Sequence, residues 1–240
     1  MALAPDPTQV PISKKDSPVI SWDPLVLLID KPKGLTSFDV IRRLRRVSPI
    51  RKIGHAGTLD PMATGLLICL SGKATRLMNH FMGQRKIYTG VIRLGQTTPS
   101  FDAETEVESS EDISHLTSEM LDQARTRFVG EITQYTPIYS AVKVGGERLY
   151  KKARRGESIP TPPRQVTVHH FELGERTGSD LPFEVECSSG TYIRSIAHEF
   201  GQLLGVGGHL VVLRRTHSGS FVADDAWDLS ELLKAAGTDQ

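Results

Sequence analysis

One carboxylate in this chain has neighbours that suit it to chemistry. Asp60 lies in the stretch Gly54-His55-Ala56-Gly57-Thr58-Leu59-Asp60-Pro61. The glycines permit backbone shapes that other residues disfavour and let another molecule come close, and Pro61 biases Asp60 away from helix. A carboxylate can act as a nucleophile or as a general base. The pattern predicts a reactive group on a glycine-rich loop; the alternative is a turn aspartate that bonds its own backbone.

The elements that position this loop follow from hydrophobic patterning and from capping residues. Strands are predicted at Leu25–Ile29, Leu66–Leu70, Lys86–Leu94, Ile138–Val144, Gln165–Leu173, Phe183–Cys187 and Leu210–Leu213. Helices are predicted from Thr36 to Val47, from Ala74 to Met82, from Thr117 to a stop at Gly130, from Tyr192 to Leu204 and from Leu229 to Ala236. Because strands and helices mix without regular alternation, we predict an α+β fold with a largely antiparallel sheet.

Charge is separated along the chain although the net charge is only +1. Two basic runs, at residues 42–52 and 143–155, flank an acidic segment at 102–122. Such separation is typical of a positive face for phosphates and a negative face toward solvent. The runs are also compatible with ordinary solvated helix faces. Residues 96–110 are predicted to form an exposed acidic connection.

Composition narrows the class of protein. The 240 residues can bury a substantial core, and the two cysteines show no metal-binding spacing. This predicts a reduced, cytoplasmic protein without a signal peptide or membrane span, with a flexible tail at residues 1–20. Gly72-Lys73-Ala74-Thr75 lacks the glycine and hydroxyl pattern of a nucleotide-binding loop, and His169-His170 lacks a metal-ligand spacing. We therefore expect neither a nucleotide cofactor nor a metal.

Residues Gly54 to Leu77 closely resemble the signature of the TruB family of tRNA pseudouridine synthases. The resemblance continues, in the family's order, through Asp30-Lys31-Pro32-Lys33-Gly34, Lys86-Ile87-Tyr88, Tyr139-Ser140-Ala141-Val142-Lys143, Gly190-Thr191-Tyr192-Ile193-Arg194 and Leu213-Arg214-Arg215-Thr216. It implies a sheet of the pseudouridine synthase type with flanking helices and an insertion that grips RNA. The catalytic domain is expected at 21–222, followed by a short C-terminal helix at 223–240 in place of a full PUA domain.

The resemblance also implies roles for individual residues. Asp60 is expected to be the reacting group, and Arg194 to pair with it and keep it ionised. Tyr88 is expected to stack on the target base, with a core tyrosine as the alternative. Asp102 is a further expected contact of Arg194. The remaining residues expected to bind substrate or RNA are His55, Tyr192, Leu213, Lys31, Lys33, Lys143 and Arg154.

The function implied is conversion of uridine to pseudouridine at position 55 in the T-loop of tRNA. The reaction gains and loses no atom, so no cofactor is expected, and we expect a monomer that binds the T-arm. Whether Asp60 attacks the sugar, attacks C6 or removes a sugar proton stays open. Two alternatives are a non-catalytic tRNA binder or chaperone and a glycoside-type hydrolase. The hydrolase would need two convergent carboxylates, and the matching segment Gly54 to Leu77 contains no acid besides Asp60.

Overall fold

The structure is a computed structural model that describes residues 4–15, 17, 21–137, 143–144, 147–149, 155 and 163–237. The chain divides into two compact units. The first unit comprises Met1–Tyr88 and Leu213–Gln240, and the second unit comprises Thr89–Val212.

Strands and helices follow one another irregularly along the described residues. The strands are, in chain order, β1 (Ile12–Ser13), β2 (Leu25–Lys31), β3 (Ile53–His55), β4 (Thr64–Ser71), β5 (Lys86–Leu94), β6 (Gln96–Thr97), β7 (Ser109–Ser110), β8 (Gly130–Tyr135), β9 (Lys143–Val144), β10 (Glu147–Arg148), β11 (Pro163–Leu173), β12 (Asp180–Cys187), β13 (Gly208–Ser218), β14 (Phe221–Val222) and β15 (Trp227–Asp228). The α-helices are α1 (Ser37–Val47), α2 (Met78–Met82), α3 (Ser118–Thr126), α4 (Ile193–Leu203) and α5 (Leu229–Gly237). Short 3-10 helices lie at Pro7–Gln9, Gly72–Leu77 and Ala223–Asp225.

In the first unit, β4 is the central strand of a mixed sheet. β2 and β3 pair with it in antiparallel fashion, and the C-terminal part of β13 pairs with it in parallel. Every residue of β4 after Thr64 is buried, as expected for a continuous apolar run with neighbours on both faces. The loop that carries Asp60 leads directly into this strand, so it starts from a rigid support.

The predicted flexible tail contributes to this first unit. β1 pairs with β2 in parallel, Val10 is buried in the apolar core, and the indole nitrogen of Trp227 donates to the Ser13 hydroxyl at 2.9 Å. These described parts of residues 1–20 therefore differ from the prediction, because an apolar side chain and a strand pairing hold them in place.

Helix α1 begins directly after its predicted capping residue, Thr36. The Thr36 hydroxyl accepts a hydrogen bond from the backbone of Asp39, and the Asp39 carboxylate accepts one from the backbone of Thr36. This reciprocal capping satisfies donors that the first turn leaves unpaired. The bonds from Thr36 hold the pKa of Asp39 at about 2. Ser37, the first helical residue, is thereby fixed beside the Asp60 loop.

In the second unit, β8, β11 and β12 form an antiparallel sheet, and β12 is also the neighbour of β5. Helix α4 packs on this sheet through Phe200, whose ring centroid lies 6.0 Å from that of Phe171 on β11. Phe128 and Phe183 complete the aromatic core, at 6.3 and 6.0 Å from Phe171. Such edge and tilted pairs stabilise by about 0.5–1.5 kcal/mol each beyond their buried area.

The connection at 96–110 is exposed at residues 103–104 and 106–110, as predicted, but its first half differs from the prediction. β6 and β7 pair within it as a short hairpin, and Thr98, Ser100 and Asp102 are buried. Their polar groups bond one another, which makes burial possible. Gly130 likewise does not end α3; it begins β8 with a φ of 98°.

Most of the predicted elements are confirmed within a few residues, including α1, α4, β5 and the paired strands β11 and β12. The mixture of pairings confirms the α+β class with a largely antiparallel sheet. The predicted strand Ile138–Val144 lies outside the described residues except for β9, and the basic segment that follows it lies largely outside them.

Candidate active site

Asp60 lies in the loop between β3 and β4 of the first unit. The residue before it is pinned to the start of α1, since the Ser37 hydroxyl accepts from the Leu59 amide at 2.8 Å and donates to the Leu59 carbonyl at 3.1 Å. On the other side, the Ala63 amide donates to the Asp60 carbonyl at 3.1 Å. Leu59 is buried, whereas Asp60 is only half-buried. A fixed backbone thus presents a carboxylate that remains accessible.

Lys31 lies below this loop and is completely buried. Its ammonium donates to the carbonyls of Pro32 at 2.9 Å, Leu35 at 2.7 Å and Pro61 at 3.4 Å. The expectation that Lys31 binds RNA is therefore corrected, because its charge is held by backbone carbonyls of the first unit. Lys33 is exposed and remains available to a phosphate.

Arg215 is a second buried cation of the first unit, with only 1% of its surface exposed. Its Nε donates to the Leu66 carbonyl at 2.7 Å, and its Nη2 donates to the Gly57 carbonyl at 3.2 Å. Gly57 has a φ of 104°, which favours glycine. The sequence offered Arg215 only as part of a matching segment and indicated no role, because these contacts span 149 and 158 residues.

His55 is half-buried on β3, opposite Cys69 of β4. Burial lowers the pKa of His55, and the positive charge of Arg215 lowers it further, while a backbone hydrogen bond with Gly57 acts in the opposite direction. The imidazole is therefore neutral at pH 7 and can both donate and accept a hydrogen bond.

Tyr88 and Leu213 are also buried in the first unit, with 8% and 6% of their surfaces exposed. Tyr88 lies on β5 and Leu213 on β13, where the Leu213 carbonyl accepts from the Thr64 hydroxyl at 3.5 Å. Their positions are compatible with an apolar wall, and the stacking role of Tyr88 stays a prediction.

Arg194 lies in the second unit, in the first turn of α4, and is 4% exposed. Its Nε is 3.6 Å from the Asp102 carboxylate, and its Nη1 donates to the Ser100 carbonyl at 3.0 Å. The predicted contact between Asp102 and Arg194 is confirmed. Asp102 also accepts from the Ser100 hydroxyl at 2.5 Å and from the Glu104 amide at 3.0 Å. Asp60 belongs to the first unit, so its pairing with Arg194 stays a prediction.

Tyr192 caps the N-terminus of α4 and is held by two residues that the sequence did not single out. The Gln134 side chain accepts from the Tyr192 amide at 3.0 Å and donates to its carbonyl at 3.1 Å. The Arg164 guanidinium lies 5.1 Å from the Tyr192 ring centroid, within cation–π range. Gln134 is completely buried, but only the tertiary structure identifies its partner 58 residues away.

The first basic run forms an exposed surface on and after α1. We call this the α1 basic surface; its exposed cations are Arg42, Arg43, Arg46, Arg51 and Lys52. Phe38 on the same helix is 58% exposed, with Arg45 5.8 Å from its ring centroid. Of the second run, Lys143 lies on β9 but its side chain is outside the described part of the structure, as is Arg154 altogether. Asp102 is buried, so the acidic segment does not lie wholly on a solvent face.

Among the described residues, no group of three or more His, Cys, Asp and Glu side chains is placed to hold a metal ion. His169 and His170 are both exposed, and the β11–β12 register shifts between Val168 and His170. No helix within the described ranges is long and apolar enough to cross a membrane.

Family models and curated relatives match most of the chain and indicate the same family. A sequence model of the TruB family pseudouridylate synthase N-terminal domain matches residues 45–193, and one of the tRNA pseudouridylate synthase B C-terminal domain matches residues 194–240. Curated relatives called tRNA pseudouridine synthase B include that of Arthrobacter sp. (strain FB24), which is 47% identical over 213 residues, covering 86% of this chain and 70% of the relative. That of Flavobacterium johnsoniae is 44% identical over 212 residues, covering 85% and 93%.

Solved structures with the same fold include one of a Cbf5-Nop10-Gar1 complex, with a TM-score of 0.68 and 32% identity over 87% of this chain and 53% of the other. Another is an H/ACA RNP bound to a substrate RNA containing 2′-deoxyuridine, with a TM-score of 0.65 and 30% identity over 87% of this chain and 52% of the other. This chain thus spans about half the length of those structural relatives.

Proposed function

The chain belongs to the TruB family of pseudouridine synthases, and we propose that it converts uridine to pseudouridine at position 55 in the T-loop of tRNA, with Asp60 as the reacting group. The observation that carries this proposal is the setting of Asp60. A half-buried carboxylate stands on a loop whose neighbouring residue, Leu59, is buried and bonded twice to Ser37. Rigid support of a reacting group is what catalysis by positioning requires.

The reaction places modest demands on the protein. The N1–C1′ bond of uridine breaks, the base turns, and a C5–C1′ bond forms, while a proton leaves C5 and one is taken up at N1. Asp60 would attack the sugar, attack C6 or remove a sugar proton, and each route needs the ionised carboxylate. In the second unit, the buried Arg194 is the cation that we propose keeps Asp60 in that form.

The target uridine must leave its stack before Asp60 can reach it. Flipping costs about a few kcal/mol, and stacking on an aromatic ring offsets roughly 1–3 kcal/mol per base. We propose that Tyr88 supplies the ring, that Leu213 and Tyr192 bound the pocket, and that His55 hydrogen-bonds the flipped arm as a neutral imidazole. The low pKa of His55 supports this last role.

The T-arm of tRNA is the partner that we propose for the basic residues. The exposed cations of the α1 basic surface, together with Lys33, suit phosphates. We propose the same phosphate contacts for Lys143 and Arg154, whose side chains lie outside the described part of the structure. The names of the relatives support a tRNA substrate, and we propose that the protein acts on it in the cytoplasm as a monomer.

A T-arm hairpin with tritium at C5 of the position-55 uridine tests this function directly. We expect release of tritium and appearance of pseudouridine with the wild-type protein. A matched hairpin with cytidine at position 55 should give neither. Tight binding of both hairpins without product would instead identify a tRNA binder or chaperone, and free uracil with an abasic site would identify a hydrolase.

A further inference from the structure

Arg215 links two segments of the first unit that the chain separates widely. β13 runs parallel to β4, and the Cα atoms of Arg215 and Gly65 face each other across the pair. The strands meet closely here, since a Cβ on Gly65 would lie 2.3 Å from the Arg215 carbonyl oxygen. From this point the side chain reaches the carbonyls of Leu66 on β4 and of Gly57, three residues before Asp60.

Burial of this guanidinium needs an explanation. A buried charge is costly unless it is hydrogen-bonded, and an apolar side chain of similar volume would fill the same space without that cost. Both hydrogen bonds described for Arg215 go to backbone carbonyls. What arginine adds over an apolar residue is therefore direction, since its planar fork presents several donors in a fixed geometry.

The backbone turn at Gly57 lies against the guanidinium of Arg215. A Cβ at Gly57 would lie 3.4 Å from Nη1 of Arg215, so the guanidinium is in contact with the backbone of the turn. Beyond the turn, Ser37 holds Leu59 at 2.8 and 3.1 Å. The backbone that leads to Asp60 is thus held at two places, by Arg215 and by Ser37.

We propose that Arg215 is a positioning residue, whose guanidinium holds the Gly57 turn against β4 and so fixes the direction in which Asp60 presents its carboxylate. The inference rests on the proposed function, because Asp60 is its reacting group. Arg215 acts through the loop backbone and needs no contact with the RNA.

Arg214, the next residue along β13, provides a matched control. Its side chain makes a two-pronged ion pair with Asp30 at 2.9 and 2.7 Å, and about a third of it is exposed. It has the same chemistry on the same strand, but its described contacts are with Asp30 rather than with the Asp60 loop.

The test compares Arg215→Lys, Arg215→Met and Arg214→Met in the full chain, with a T-arm hairpin as substrate. Lysine keeps the positive charge but loses the fork. We expect Arg215→Lys to lower kcat by about 30-fold or more with KM within about threefold, because small displacements of a reacting group cost up to about 10²-fold. Arg214→Met should keep kcat within about threefold.

Titration of His55 by NMR supplies a readout that does not depend on activity. Arg215→Met removes a positive charge that lowers the pKa of His55, so that pKa should rise, whereas Arg215→Lys should leave it nearly unchanged. A folded Arg215→Lys protein with kcat within threefold of wild type would overturn the proposal. So would unfolding of both Arg215 variants, which would show that the residue holds the core rather than the loop. A wild-type protein that forms no pseudouridine would reject the proposed function instead, and the His55 titration would still report the Arg215 contact.

Discussion

The two units bury an arginine in opposite ways. In the first unit, the guanidinium of Arg215 is satisfied by two backbone carbonyls. In the second unit, that of Arg194 lies beside a carboxylate, Asp102, which is itself 1% exposed. The first arrangement fixes the path of a loop, and the second balances one buried charge with another.

This difference predicts which substitutions harm stability and which harm the reaction. Loss of one partner of a buried ion pair leaves the other charge uncompensated, which is strongly destabilising. Loss of a side chain that donates to backbone carbonyls lowers the free energy of unfolding less than loss of one ion-pair partner does. It also releases the backbone segment that the donor held. We therefore expect substitutions within the Asp102–Arg194 pair to lower the free energy of unfolding strongly, and substitutions of Arg215 to lower turnover with a smaller loss of stability.

The largest expected effect on stability is that of Asp102→Asn. The change removes the carboxylate charge that lies 3.6 Å from the buried Arg194 guanidinium, and it should lower the free energy of unfolding by about 3 kcal/mol, measured by urea denaturation. Asp180→Asn in the same unit is the control, because its pair with Arg93 is about 40% exposed and such pairs contribute up to about 1 kcal/mol. Equal losses in the two variants would remove the distinction between the units.

The next effect concerns Arg194→Met, which keeps much of the side-chain volume but removes the cation. We expect turnover to fall by about 10²-fold or more, equivalent to about 2.7 kcal/mol of transition-state stabilisation. Single-turnover formation of pseudouridine and hairpin affinity should be measured together. Unchanged turnover with weaker affinity would make Arg194 a phosphate contact instead.

A smaller predicted effect is the fall in stability at low pH, to which the two units contribute unequally. Burial lowers the pKa of His55 in the first unit and of His198 and His209 in the second. The unfolded chain therefore binds protons that the folded protein does not, and stability should fall as the pH drops below about 6.5. The double variant His198→Gln/His209→Gln should flatten this fall more than His55→Gln does. Urea denaturation at several pH values decides between them, and the opposite order would contradict the assignment of two such groups to the second unit.

The smallest effect concerns the α1 basic surface. Arg46→Gln and Lys52→Gln should each weaken binding to all RNAs alike and lower the slope of log affinity against log salt by roughly 0.7–0.9. Lys14→Gln is the control, since Lys14 pairs with Asp225 at 3.1 Å and lies outside the basic runs. Slopes that stay at the wild-type value would place the RNA elsewhere.

The sequence predicted what is encoded over short distances. The capped helix α1, the alternating strand β5 and the amphipathic helix α4 depend on periodicity and on residues within one or two turns. It missed the partners that lie far away along the chain, such as Gln134 for Tyr192 and Arg215 for Gly57. It also predicted Lys31 and Asp102 to be accessible, because a charged residue gives no local signal that buried partners will satisfy it.

Asp60→Asn tests the central claim most directly. The substitution keeps the size of the side chain but removes its charge and its nucleophile. Pseudouridine formation in a single turnover and the hairpin dissociation constant should be measured on the same preparation. We predict no detectable product with an affinity within about threefold of wild type. Turnover within tenfold of wild type would contradict the assignment of Asp60 as the reacting group.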